Sequence, residues 1–255
     1  LFRVQQAMVM ADRVVVTAAD GQRAHASLNR RGHFRALPGW VDVAEIQAYL
    51  SEHDRTAQRQ ALNLAPETVT FAHIGSFIPR KGLHVLIAAI RLLLNNTQDA
   101  PPLVFLLVGA GTGPDPYADL VRHAVADIPG ADIRIVPQSP DPYRYFQAAD
   151  LFVCASLEDV FPRVVLEAAV FGRAVVTTNV HGIPEMLGPS DAWLVPPDNA
   201  PRLAAAMGAA LVAHMRGDTT RTRRAQRRVT RHFDSAIMLP HHAELIRAAA
   251  TEHSA

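Results

Sequence analysis

Ser156-Leu-Glu-Asp-Val-Phe-Pro-Arg-Val-Val-Leu-Glu167, running directly into Ala168-Ala-Val-Phe-Gly172-Arg-Ala-Val-Val-Thr-Thr178, decides how this chain is read. It holds the end of an apolar strand, a tight acidic turn, a helix opened by proline, and the next strand. Asp159 and Glu167 are eight positions apart. That spacing puts one acid at the mouth of the helix and the other about two turns in, on roughly the same face. Backbone N–H groups at a helix start attract anions, and two acids nearby can hold hydroxyls. A ligand with a central diphosphate and a sugar at each end suits the arrangement. Each acid also has a plainer role. Asp159 fits as a helix cap, and Glu167 fits as the i,i+4 partner of Arg163.

The flanking sequence repeats the same alternation. Before the acidic turn, strands are predicted over 69–74, 103–108, 133–136 and 151–154, with helices over 82–94, 117–126 and 142–148. After it come a helix over 162–171, a strand over 174–177, a helical turn over 183–187, a strand over 192–195 and a helix over 201–214. The remainder is helical and arginine-rich, ending in a helix near 241–251. Near-continuous apolar strands separated by helices predict an α/β fold, a Rossmann-like doubly wound parallel sheet. Ahead of Pro66 the pattern is less regular. A strand is expected at 14–17, a loop at Ala19-Asp-Gly21, and a helix over 44–61. Between the loop and the helix lies a basic irregular stretch over 28–38, containing Arg30, Arg31, Gly32, His33 and Arg35.

Three further motifs fall at predicted strand ends, where open α/β sheets bind ligands. Gly75-Ser-Phe-Ile-Pro-Arg-Lys-Gly82 offers Arg80 as a planar fork and Lys81 as a point charge for phosphate; a solvated basic turn explains it equally well. Gly109-Ala-Gly-Thr-Gly113 lacks both the dinucleotide-binding spacing and the P-loop Lys-Ser/Thr, and reads as a strand-to-helix turn beside the site. His181-Gly-Ile-Pro-Glu185 reads as a helix-opening turn or a ligand contact. His73 and His84 are expected to be structural, and Cys154, alone in its apolar run, a buried core thiol. No Asp-x-Asp and no metal-ligand spacing occurs, so no metal is expected. A net charge of +1 does not favour nucleic acid as a partner. The seven arginines between Arg216 and Arg231 read first as a solvated helix face and second as a contact for an anionic membrane.

Taken together, these motifs resemble the C-terminal, donor-binding half of GT-B glycosyltransferases, the retaining group 1 enzymes (family 4). The matching residues are the Gly75–Gly82 turn, Val108-Gly-Ala-Gly111, Ala149-Asp-Leu-Phe-Val153, the run from Ser156 to Glu167 with Ala168, Gly172, Val175 and Val176, and Gly182-Ile-Pro-Glu185. Ala36-Leu-Pro-Gly-Trp-Val-Asp42 is similar to the family's interdomain junction. The resemblance divides the chain into 1–65, a remnant of the N-terminal acceptor domain and linker; 66–235, the donor-binding domain; and 236–255, a helix crossing back.

The resemblance implies a sugar transferred from a nucleotide diphosphate sugar to an acceptor hydroxyl with retained configuration. The acceptor would be a glycan, a lipid-linked species or a small molecule. No cofactor is implied beyond the nucleotide sugar as co-substrate. Lys81 and Arg80 would neutralise the diphosphate, and Asp159 would contact the transferred sugar. Phe161, Pro162, Arg163 and Val164 would bring backbone N–H groups to the ligand, Glu167 would hold the ribose, and Gly75, Ser76 and Gly109 would line the donor. Backbone near 137–139 would meet the base. The chain departs from the family at four places. An Asp stands as first acid, Ser76 where an Arg is usual, His181 in place of a glycine, and Trp40 in the junction, which lacks its Asn. The expected placement is cytoplasmic, with peripheral contact at the inner membrane face. The chain is expected to be an N-terminally truncated fragment, inactive alone, with the strand at 14–17 exposing a sheet edge. A nucleotide-sugar epimerase and a non-catalytic nucleotide-sugar-binding module are the rival readings.

Overall fold

The computed structural model describes residues 8, 14–25, 27, 34–97 and 100–252. An amino-terminal layer comprises β1 (Val14–Val16), α1 (Ala19–Ala24) and β2 (Phe34–Ala36), followed by α2 (Val43–Glu52) and α3 (Arg55–Ala61). Strict alternation then runs through β3 (Val69–Ile74), α4 (Leu83–Leu94), β4 (Leu103–Ala110), α5 (Pro116–Ala126), β5 (Asp132–Pro137), α6 (Tyr143–Ala148), β6 (Leu151–Cys154), α7 (Arg163–Val170), β7 (Ala174–Thr178), α8 (Ile183–Met186) and β8 (Trp193–Val195). Three helices close the chain: α9 (Ala200–Met215), α10 (Thr220–His232) and α11 (Ser235–Glu252).

The main sheet has the order β5-β4-β3-β6-β7-β8, and every neighbouring pair is parallel. This is the doubly wound order, with its switch point between β3 and β6. β3, β6 and β7 are buried along their whole length, which is why apolar residues stand on both of their faces, with Thr70, His73, Thr177 and Thr178 as buried polar positions. Successive side chains feed opposite cores. Ala72, Val104, Leu106 and Phe152 pack beneath α2, α6, α7 and α10. Phe71, Phe105, Leu107 and Val153 pack beneath α4, α5 and α9. No helix among the described residues is long and apolar enough to cross a membrane.

Four expectations change. The helix expected over 44–61 is two helices, because Asp54 accepts the Ala57 N–H at 2.8 Å and starts a new one. The loop expected at Ala19-Asp-Gly21 is the start of α1. The stretch expected to be irregular over 28–38 contains β2, whose fully buried Phe34 pairs in parallel with Val14, so the strand at 14–17 has a neighbour on one side. Leu28, Arg30, Arg31, Gly32 and His33 lie outside the described residues. The last helix begins at Ser235 rather than near 241, capped by Asp234, whose side chain accepts the Ala236 N–H. Pro240 removes one backbone rung without ending it.

The junction is held to the start of α11. The Val41 N–H donates to the Phe233 carbonyl at 3.0 Å, and the Ser235 N–H donates to the Val41 carbonyl at 2.9 Å. The Trp40 ring meets the His242 ring edge-on at 4.7 Å.

At the opposite edge of the sheet from the strand C-termini, Asp150 gathers three elements, α3, β3 and α9. Its carboxylate accepts from Arg55 at 2.6 Å, from the buried Arg59 at 3.3 Å and from the Thr70 N–H at 2.9 Å, with His214 3.7 Å away. Removing the acid leaves Arg59 charged, buried and short of its counter-ion. Asp150→Ala is therefore expected to destabilise the fold by about 3–5 kcal/mol, read as a lower urea midpoint at unchanged slope.

Candidate active site

The site is assembled where β3 and β6 part. Beyond β3 the chain makes a single turn over Pro79–Lys81 and enters α4 through Gly82 at φ 67°. A Cβ at Gly82 would lie 2.1 Å from the Ala155 carbonyl oxygen, so only glycine lets this turn rest on the backbone beyond β6. The two loops are stitched together there: the Leu157 and Glu158 N–H groups donate to the Arg80 carbonyl at 2.8 and 3.3 Å.

That stitching brings two predicted residues into contact. Lys81 Nζ lies 2.5 Å from Asp159 Oδ2, and the two side chains are only 14% and 11% exposed. Ser156, fully buried, places its hydroxyl 3.5 Å from the same carboxylate oxygen. Asp159 is thus an ion-pair partner and not a helix cap: α7 begins directly after Pro162, with no side-chain cap. Arg80 is exposed and directs its guanidinium at the Glu158 carbonyl, 3.4 Å away.

The glycine turns close the adjoining wall. The Gly75 N–H donates to the Val108 carbonyl at 2.9 Å. Gly109 has φ 124°, and a Cβ there would lie 2.2 Å from the Gly75 carbonyl oxygen, so the ends of β3 and β4 meet backbone to backbone. Ser76 is exposed beside them. Phe161 packs its ring 5.7 Å from that of Phe233, Pro162 is buried, Val164 is half-buried and Arg163 is exposed.

Glu167 stands one to two turns into α7, buried, with Arg163 3.3 Å from Oε1. The i,i+4 pair expected from the spacing is therefore present, but around a buried acid. Burial holds the Glu167 carboxyl above its usual range; Arg163 opposes the shift and Glu45 adds to it. Tyr143 shares this environment. Its phenol is pushed up to about 12 by burial, then by the charges of Glu167 and Glu45. Glu45 on α2 and Tyr143 on α6 were missed from sequence, since neither sits in a motif and only the fold brings them to α7.

The remaining candidates have structural surroundings. His73 is buried in β3, with Nδ1 3.1 Å from the Val153 carbonyl, and burial lowers its pKa to about 4, so it is neutral at physiological pH. His84 contacts the Tyr117 hydroxyl at 2.9 Å. Cys154 is buried and its thiol pKa is raised by burial. The His181–Glu185 turn opens α8 and faces α1.

An acid whose folded-state pKa is raised binds its proton more tightly in the folded chain than in the unfolded one. Its ionisation costs stability as pH rises above the ordinary glutamate value of 4.5. Glu167→Gln is accordingly expected to raise Tm at neutral pH, with the gain shrinking as pH falls towards that value and gone below it. A pH series of thermal melts of both proteins checks it.

Comparison with known proteins places this geometry. The family described as "Glycosyl transferases group 1" matches residues 68–212. A D-inositol 3-phosphate glycosyltransferase from Jonesia denitrificans is 28% identical over 188 residues, covering 72% of this chain and 42% of that protein. The chain thus spans less than half the length of that relative. Among solved structures, a glycosyltransferase from Rickettsia africae superposes with a TM-score of 0.86 at 16% identity, over 97% of this chain and 67% of that one. Anabaena Alr3699/HepE in complex with UDP and glucose gives 0.82 at 22% identity, over 96% and 66%. At these identities the two structures speak for the fold alone, a GT-B architecture of which the chain covers about two thirds. The family match, which takes in every strand of the main sheet and both acids of the site, makes this chain a member of the group 1 glycosyl transferases.

Proposed function

We propose that this chain is the donor-binding part of a retaining glycosyltransferase that moves a sugar from a nucleotide diphosphate sugar to an acceptor hydroxyl. The observation that carries the reading is the nearly buried Lys81–Asp159 pair at the sheet's switch point, set before the uncapped start of α7 with Glu167 further along the same helix. A cation, a hydroxyl-accepting acid, free helix N–H groups and a second acid there match, in order, a diphosphate, the transferred sugar, the phosphate oxygens and the ribose.

In this reading the diphosphate is the leaving group. Lys81, with Arg80 at the rim, stabilises the charge that grows on it as the glycosidic bond breaks. Asp159 exchanges Lys81 for a sugar hydroxyl, and Ser156 keeps the carboxylate aimed. Backbone N–H groups over 161–164, beside Phe161, Pro162, Arg163 and Val164, contact phosphate. Gly75, Ser76 and Gly109 form the opposite wall, and backbone over 137–139 meets the base. Residues 66–235 form the donor-binding unit together with 41–65, which pack into the same core and reach Asp150 through Arg55 and Arg59, while the residues before that junction and 236–255 belong to the acceptor-side unit. Retention of configuration is carried over from the family resemblance. The burial of Glu167 supports its assignment to ribose: a carboxylate that lacks water gains most from two hydroxyl donors.

UDP, GDP and ADP sugars form the test panel, UDP first because a protein of the same fold was solved with UDP and glucose. A ligand that binds only the folded state raises Tm. One nucleotide class is expected to raise the Tm of this chain, and Glu167→Ala to abolish the shift. In the full-length protein, Lys81→Ala is expected to lower kcat by roughly 10²–10³. Unchanged kcat in Lys81→Ala together with an unchanged shift in Glu167→Ala would remove the assignment.

A further inference from the structure

α1 should not be a helix on its own account. It has six residues, and its N-cap, Ala18, has no side chain with which to cap it. So short a segment does not hold a helix in water without outside help. The help comes from 166 residues away. Glu185 Oε2 accepts the Ala19 N–H at 2.9 Å, and Oε1 accepts the Asp20 N–H at 3.0 Å. One carboxylate thus satisfies two of the N–H groups that a helix start leaves open. Arg23 lies 3.6 Å from the same carboxylate and 3.7 Å from Asp20.

His181 adds a second attachment and carries a cost. It sits at φ 43°, in the left-handed region that glycine occupies freely. Strain at a non-glycine residue persists where its surroundings repay it. Here Nδ1 lies 3.0 Å from Asp20 Oδ2.

The same turn touches the site. The Gly182 N–H donates to the Val160 carbonyl at 3.0 Å, one residue beyond Asp159. A Cβ at Gly182 would lie 2.4 Å from that carbonyl oxygen, 2.9 Å from the Ala18 Cβ and 3.0 Å from the Phe161 ring. No side chain fits between α1, this turn and the acidic loop. The far side of the turn is braced by Arg228, which donates to the Met186 and Glu185 carbonyls at 2.8 Å each.

We infer that the His181–Glu185 turn is a clamp that holds α1 against the Asp159–Phe161 loop, so that a ligand ordering the loop also orders α1. Glu185 and His181 are positioning residues: they fix where the amino-terminal wall stands relative to the acidic loop. The ligand half of this inference rests on the donor-site reading above; the clamp half rests on the contacts alone.

Amide hydrogen exchange of the chain, with and without saturating UDP, GDP or ADP, tests both halves. In the unliganded chain Glu185→Ala is expected to speed exchange at Ala19 and Asp20 at least tenfold while α4 stays protected. Glu185→Gln, which keeps one acceptor oxygen, is expected to recover part of the protection. His181→Gly, which relieves the strain but removes the Asp20 contact, is expected to speed exchange about threefold. The binding nucleotide should slow α1 exchange in the native chain and leave it unchanged in Glu185→Ala, with its Kd altered less than threefold. Unaltered α1 exchange in both Glu185→Ala and His181→Gly would overturn the clamp. Equal slowing by nucleotide in native and Glu185→Ala chains would overturn the coupling. If no nucleotide binds the native chain, the donor-site reading and the coupling fall, and the unliganded arm still decides the clamp.

Discussion

The adjacency of β3 and β6 is the constraint on which everything else in this chain depends. Neighbours in space but widely separated in sequence, they must be held in register by something other than a short loop. Two charged contacts do this from opposite ends. At one end Asp150 binds Arg55, Arg59 and the Thr70 N–H, joining β6 to β3 and to α3. At the other, Lys81 meets Asp159 across the strand tips. The first gathers several donors around one carboxylate, including the buried guanidinium of Arg59, and a structural acid needs such partners. The second is one cation facing one acid, with the Ser156 hydroxyl beside it. The same type of interaction thus ties the two strands at both ends.

The sheet was legible because burial on both faces leaves a simple mark. The strand at Val69–Ile74 falls where the sequence puts it, since all six positions are buried and only Thr70 and His73 interrupt its apolar residues. Local capping was harder to see. Asp54 divides one expected helix into two by accepting a single N–H, and nothing in the apolar pattern around it announces that choice. α1 was harder still, because the residue that caps it is Glu185, far along the chain.

The site shows the same division. Lys81, Asp159 and Glu167 could be picked out because the motifs carrying them all follow strand C-termini, a position the strand pattern alone defines. The contact between Lys81 and Asp159 could not. The spacing of Arg163 and Glu167 showed a pair but not the burial of the acid, which depends on α2 and α10 packing against α7. Glu45 and Tyr143 act on that acid through space from elements with no motif of their own. Pairwise chemistry between distant elements is a property of the packed chain, and single-sequence patterns carry only the local part of it.

The junction at Val41 has a mechanical meaning. Two passages of backbone lie side by side there, tied by the Val41 N–H to Phe233 and the Ser235 N–H to Val41. A single thread can twist freely, whereas two threads laced to each other resist twist and shear at the point of lacing. Cutting one would leave its end still bonded beside the other, so Val41 would stay paired with Phe233 and Ser235 after a nick at Pro38 or Gly39.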